Sequence, residues 1–233
     1  MTERIRKTIL LLLCVVCCVP FASAQRHYVP HVHIGAHAGA TLSNVSFYPK
    51  TKETFLQGAV MGLSFRYAEE RHVGLMAEIN LAQHGWKENF EEDNSRFSYL
   101  HRTTCVELPV LTHIFFGSRV VKCFFNLGPQ IGYMLSDKIE SNFDYENPEK
   151  VPGFPNEYRQ TAQMKMKISN RFDYGITAGA GVEFVIKKRH SVLLEGRYYY
   201  GLGNIFPSSK KDEFSASRNS SILITLGYMF RLK

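Results

Sequence analysis

Four carboxylates, Glu78, Glu107, Glu183 and Glu195, and four cations, Arg66, Lys122, Arg197 and Arg231, are the side chains here best placed to act together. Each lies in a run where apolar residues alternate with polar or small ones, and each falls on the polar side. A period of two puts successive side chains on opposite faces of a β-strand, so these eight share the face turned away from the apolar one. Carboxylates gathered in this way can do acid–base work. Charges of both signs removed from water together must instead pair. Two readings follow for an enclosed cluster: an internal salt-bridge plug that fixes register and blocks leakage, or a narrow polar conduit or ligand site.

Other chemistry finds less support. His31, His33 and His37 share parity, and His84 and His101 flank one loop. A metal needs ligands that converge, whereas a period-two row spreads its side chains along the strand. No metal or other cofactor is expected. Hydrolysis needs a nucleophile beside a base. No Gly-x-Ser-x-Gly elbow is present, and an enzyme is not expected.

The elements that would position the cluster are strands. The last, Ser221 to Leu232, has Ile222, Ile224, Leu226, Tyr228, Phe230 and Leu232 on one face and Thr225, Gly227 and Arg231 on the other. The pattern recurs over His33–Asn44, Phe55–Tyr67, His72–Lys87, Arg96–Phe116, Val120–Leu135, Met164–Ile186 (strongest from Tyr174) and Ser191–Leu202. Connections alternate between long and short, the longest running from about Ser136 to Gln163. Even strand number, loop asymmetry and a wholly apolar face predict an all-β fold, an eight-stranded antiparallel up-and-down transmembrane β-barrel. Several strands exceed the roughly 9–11 residues that span a bilayer and are expected to project on the long-loop side. A lipocalin-like barrel would carry the opposite polarity, apolar inside and wet outside. A β-sandwich shows the same alternation, and loop asymmetry, aromatic content and the leader weigh against it.

That leader comprises Arg4, Arg6 and Lys7, an apolar run from Thr8 to Val19, and Phe21-Ala22-Ser23-Ala24. A basic end, a short apolar run and an Ala-x-Ala exit read as a secretory signal peptide, residues 1–24, followed by one barrel domain, 25–233. The run is too short to span a membrane as a helix. Cys14, Cys17 and Cys18 lie within it but lack the small preceding residue of a lipoprotein signal. The formal net charge of +7 falls to about +5 without the leader, is not clustered, and excludes nucleic acid as an expected partner. Cys105 and Cys123 have opposite parities, so no disulfide is expected between them, and both read as small core residues. Phe143, Tyr145, Phe154 and Tyr158, in the longest loop, read either as solvated loop packing or as a protein-contact surface.

Three stretches carry a family resemblance. Ile34-Gly-Ala-His-Ala-Gly-Ala-Thr-Leu-Ser-Asn44 looks like the first-strand glycine pattern of the PorT-like outer-membrane β-barrel proteins of Bacteroidetes. Ala77-Glu-Ile-Asn-Leu-Ala-Gln-His-Gly85 is similar to their third strand, and Val106-Glu-Leu-Pro-Val-Leu111 to their Glu-Ile-Pro-Leu-Leu strand. His113 stands where the family often has an inward Lys. The resemblance implies a Gram-negative outer membrane with both termini periplasmic, contact with outer-membrane lipid, no enzymatic activity, and a role as an accessory component of type IX protein secretion with secretion-machinery proteins as partners. A stand-alone surface barrel with an adhesion or membrane-stabilising role is the alternative.

Overall fold

Period-two alternation rich in Val, Ile, Leu, Tyr and Phe favours extended backbone, and a strand in lipid has no water to satisfy an open edge. Closure follows from that constraint. The computed structural model describes residues 30–68, 72–90, 96–155, 159–208 and 212–232. The expected signal peptide lies outside them. Eight long strands form one ring: β1 (His31–Tyr48), β2 (Leu56–Ala68), β3 (Val73–Glu88), β4 (Tyr99–Gly117), β5 (Val121–Ser141), β6 (Phe172–Ile186), β7 (His190–Gly201) and β8 (Ala216–Arg231). Each pairs antiparallel with its sequence neighbour, and β1 pairs with β8 to close the barrel. A two-residue strand, Glu53–Thr54, adds to the end of β3.

Within the membrane the ring is apolar outside. Ile34, Met61, Leu63, Ile79, Leu108, Leu127, Ile176, Leu194 and Leu226 all stand exposed on the outer surface. Outward aromatic residues gather at both margins of this band, with Tyr133, Tyr174, Tyr198 and Tyr200 toward the long loops and Tyr67, Phe116, Phe184 and Tyr228 toward the short turns. Such girdles seat a barrel at its two lipid–water interfaces.

Strand boundaries depart from the sequence reading in an informative way. β1 continues to Tyr48, β5 to Ser141, and β8 begins at Ala216, all inside stretches expected to be loops. Beyond the lipid band the alternation persists but its polarity inverts. On β1 the outward series Ile34, Ala36, Ala38, Ala40, Leu42 gives way to Asn44 and Ser46, while the inward series ends in buried Val45 and Phe47. On β3 outward Ile79 and Leu81 are followed by Gln83 and Lys87, with Trp86 fully buried inside. β5 also carries a register shift, with Cys105 opposite Met134 and Thr104 opposite Ser136, which resets its parity after Leu135. At the other extreme, β4 starts at Tyr99 and β6 at Phe172, later than expected. The residues before β6 instead form a short helix, Ala162–Lys165.

That helix belongs to a cap. Val45, Phe47, Trp86, Phe90, Tyr99, Phe154, Met164, Ile205, Phe206 and Phe214 form a hydrophobic cluster inside the projecting end of the barrel. Phe154 is buried, and Phe143 and Tyr145 pack against the cluster half-buried, so the longest loop folds back over the mouth. Tyr158 lies outside the described residues. Cys105 and Cys123 are both free thiols. Cys123 is exposed on the lipid-facing surface, which corrects its reading as a core residue, because odd positions of β5 point outward there.

Candidate functional site

The lumen is filled by the charged residues singled out above and by amides and imidazoles between them. Arg66 on β2 donates from Nη1 and Nη2 to Oε2 and Oε1 of Glu183 on β6, both at 2.9 Å. Arg197 on β7 donates from Nη1 and Nη2 to Oε2 and Oε1 of Glu78 on β3, at 2.7 and 3.0 Å. In an eight-membered ring, β2 lies opposite β6 and β3 opposite β7. Each fork therefore crosses the full width of the barrel, which eight strands make just narrow enough for side chains to fill. Arg197 turns a second fork toward Glu195, Nε to Oε1 at 3.0 Å and Nη2 to Oε2 at 2.8 Å.

His113 and Asn126 join the two bridges. Arg66 Nη1 lies 3.2 Å from Nε2 of His113, and His113 Nδ1 lies 2.7 Å from Oδ1 of Asn126. A guanidinium only donates, so Nε2 must accept and the ring proton sits on Nδ1, donating to Asn126. The Asn126 amide in turn donates to Glu195 Oε1 at 2.8 Å. Asn80 donates to Glu78 Oε2 at 3.1 Å, and His37 Nε2 stands 3.9 Å from the same oxygen. One connected network thus takes side chains from β1 to β7. Removed from water, each of its carboxylates keeps a charge-assisted partner, which is the condition for a buried charge to persist.

Space for the network comes from glycine. A Cβ on Gly179 would fall 2.7 Å from Glu195 Oε1, and one on Gly62 would fall 2.0 Å from Asn80 Oδ1. Both contacts lie below the separation that real side chains accept, so these two inward glycines are clearance for specific polar atoms.

Of the eight sequence-predicted residues, Arg66, Glu78, Glu183, Glu195 and Arg197 meet in this network. Glu107 does not join it. Glu107 accepts instead from His84 Nε2 at 2.6 Å, nearer the long-loop end. Lys122 and Arg231 lie toward the short turns, Lys122 with its ammonium 5.0 Å above the Phe115 ring and Arg231 with Nη2 2.8 Å from His31 Nδ1. His113 and Asn126 share the inward face by parity but are not among the eight, although an inward imidazole and amide between like-facing charges are the signal for a relay. Asn219 donates to Asp173 Oδ2 at 2.8 Å as a further polar pair within the barrel. The described residues include no group of three His, Cys, Asp or Glu side chains suited to a metal.

The cap has its own latch. Arg159 Nη2 donates to Glu88 Oε2 at 2.8 Å, and Gln163 Nε2 donates to Glu88 Oε1 at 3.0 Å. The Arg159 guanidinium also lies 3.9 Å above the Phe90 ring and caps the carbonyl of Asn89 at 2.7 Å. Across the two-residue strand Glu53 pairs in register with Glu88, and burial raises the Glu53 carboxyl above its ordinary range although Thr51 donates a hydrogen bond to it. Nothing in the chain's sequence marks Arg159 as the partner of a residue 71 positions earlier.

A closed antiparallel ring with a lipid-facing apolar band and a polar, side-chain-filled lumen defines an integral outer-membrane β-barrel. The chain belongs to the family of the outer membrane protein beta-barrel domain, whose pattern matches residues 21–207. Among solved structures it is similar to the outer membrane protein OprG from Pseudomonas aeruginosa, at 11% identity over 87% of this chain and 95% of that one, with a TM-score of 0.52. Looser likenesses include Ail, the attachment invasion locus protein of Yersinia pestis, at 14% identity over 85% of this chain and 99% of that one (TM-score 0.40), and the outer membrane enzyme PagL, at 12% identity over 85% and 98% (TM-score 0.40). These likenesses are of fold. A search of the curated proteins finds no match.

Proposed function

We propose that this chain is a non-enzymatic barrel of a Gram-negative outer membrane that works as a closed scaffold, offering its capped loop end and its short-turn end to partner proteins. The observation that carries this reading is the lumen. Two guanidinium–carboxylate forks span it, and an aromatic cap covers one mouth. A barrel filled in this way has its rims left for recognition, since loops on a rigid scaffold are where recognition concentrates. The short turns, and with them both termini, face the periplasm in this reading, as short connections do in bacterial barrels.

The resemblance of β1, β3 and β4 to PorT-like proteins supports one particular employment, as an accessory component of type IX secretion. Deletion of the gene tests it. Type IX cargo should then stay in the periplasm and return to the surface and medium on complementation. Unchanged export would remove the secretion role and leave a stand-alone surface barrel. Crosslinking in cells distinguishes the two further, since secretion components trapped at the short-turn end fit the first and extracellular ligands trapped at the loops fit the second.

A further inference from the structure

The end of the barrel opposite the cap is not sealed. A half-enclosed cavity of about 370 Å³ opens there, lined among others by His33, Arg66, Arg119, Lys122, Glu183, Lys188 and Arg231. Five of these side chains are cations. Among the described lining residues Glu183 is the one carboxylate, and both of its oxygens are already taken by Arg66. The adjoining turn 69–71 lies outside the described residues. A concave mouth with low-dielectric walls and one sign of charge focuses its field on solutes of the opposite sign.

Two further observations point the same way. His33 Nδ1 is buried and makes no hydrogen bond. A buried ring nitrogen without a partner costs free energy, and the ring that carries it lines this cavity. Lys188 reaches the cavity from the turn between β6 and β7, where Lys187 and Lys188 both hold left-handed backbone, φ 49° and 63°. Gly or Asn would adopt that conformation more readily than Lys. From β5 Lys122 enters the same space beside Phe115, and Arg119 enters from the neighbouring turn.

We infer that this mouth is a binding site for a polyvalent oxyanion of phosphate chemistry, held by Lys122, Lys188 and Arg119. Arg66 and Glu183 form the floor and belong to the structural network. The proposal stands whether or not the barrel serves secretion, because it concerns the isolated protein.

The test is calorimetric titration of the mature chain, refolded in a nonionic detergent free of phospholipid and phosphate, with sodium pyrophosphate at low ionic strength. Saturable binding at one site is expected, weakening steeply as salt is added. The double variant Lys122→Gln/Lys188→Gln should weaken it by at least about 10-fold, since hydrogen bonds to charged groups are each worth that much or more. Lys138→Gln/Lys165→Gln, at the capped end, should leave it unchanged. Unaltered heat-dependent gel mobility of both variants guards against misfolding. Displacement of pyrophosphate by an anionic phospholipid would identify a lipid headgroup as the source of the oxyanion, and its absence a soluble one; either supports the site. No saturable binding, or equal binding by the parent and the Lys122→Gln/Lys188→Gln variant, overturns it.

Discussion

Arg197 holds more of the lumen together than any other single side chain described, because its two forks engage Glu78 and Glu195 at once. Arg197→Met should therefore strand two buried carboxylates. Removing one partner of a buried pair costs about 3–5 kcal/mol, and urea unfolding of the refolded barrel should show a loss of that size. Replacing both ends of the other fork, Arg66→Met with Glu183→Leu, should cost far less than Arg66→Met alone. A double-variant cycle checks this, and additive losses would contradict the pairing. Gly179→Ala should destabilise as well, since its methyl meets Glu195 Oε1. The sequence disclosed these charges through parity alone. It did not disclose their partners, because strands opposite one another in the ring are distant in the chain and share no local pattern.

At the scale of elements, strand identity and the alternation of long and short connections were readable, while strand ends were not. The ends went unread because hydrophobicity changes phase at the membrane boundary. Val45 and Phe47 are apolar on the side that is polar below them, so β1 looked finished at Asn44. Met164 and Lys165, expected to open β6, instead end the helix Ala162–Lys165, because four residues cannot declare a helical period. The cap offers a direct test. Arg159→Leu leaves Glu88 buried beside Glu53, with the Gln163 amide still donating to it. Trypsin should then cut the loop at Lys150, Lys165 or Lys167 much faster than in the parent, while the barrel stays intact. Equal cleavage rates would show that the aromatic cluster holds the cap without the latch.

The whole molecule has two closures in series, the charge network and the aromatic cap. Reconstituted in a planar bilayer, the parent should add no steady ion current above that of bare lipid. Arg159→Leu should stay silent, because the network remains. Steady open channels from the parent would contradict a filled lumen. Barrel class was legible from eight repeats of one period. The cap was invisible, because its residues come from the ends of β1, β3 and β4 and from three loops whose convergence only the closed ring creates.

The inversion of polarity along β1 and β3 has a consequence for buoyancy. Below it the outer surface is oil-like, and above it water-like, and the change takes only two residues on each strand. A barrel marked in this way carries a waterline. Sliding it outward or inward by one pleat would lift apolar side chains into water or sink Asn44, Gln83 and their neighbours into lipid. Draught is thus written into the strands themselves, and a bilayer of another thickness would have to deform to meet it.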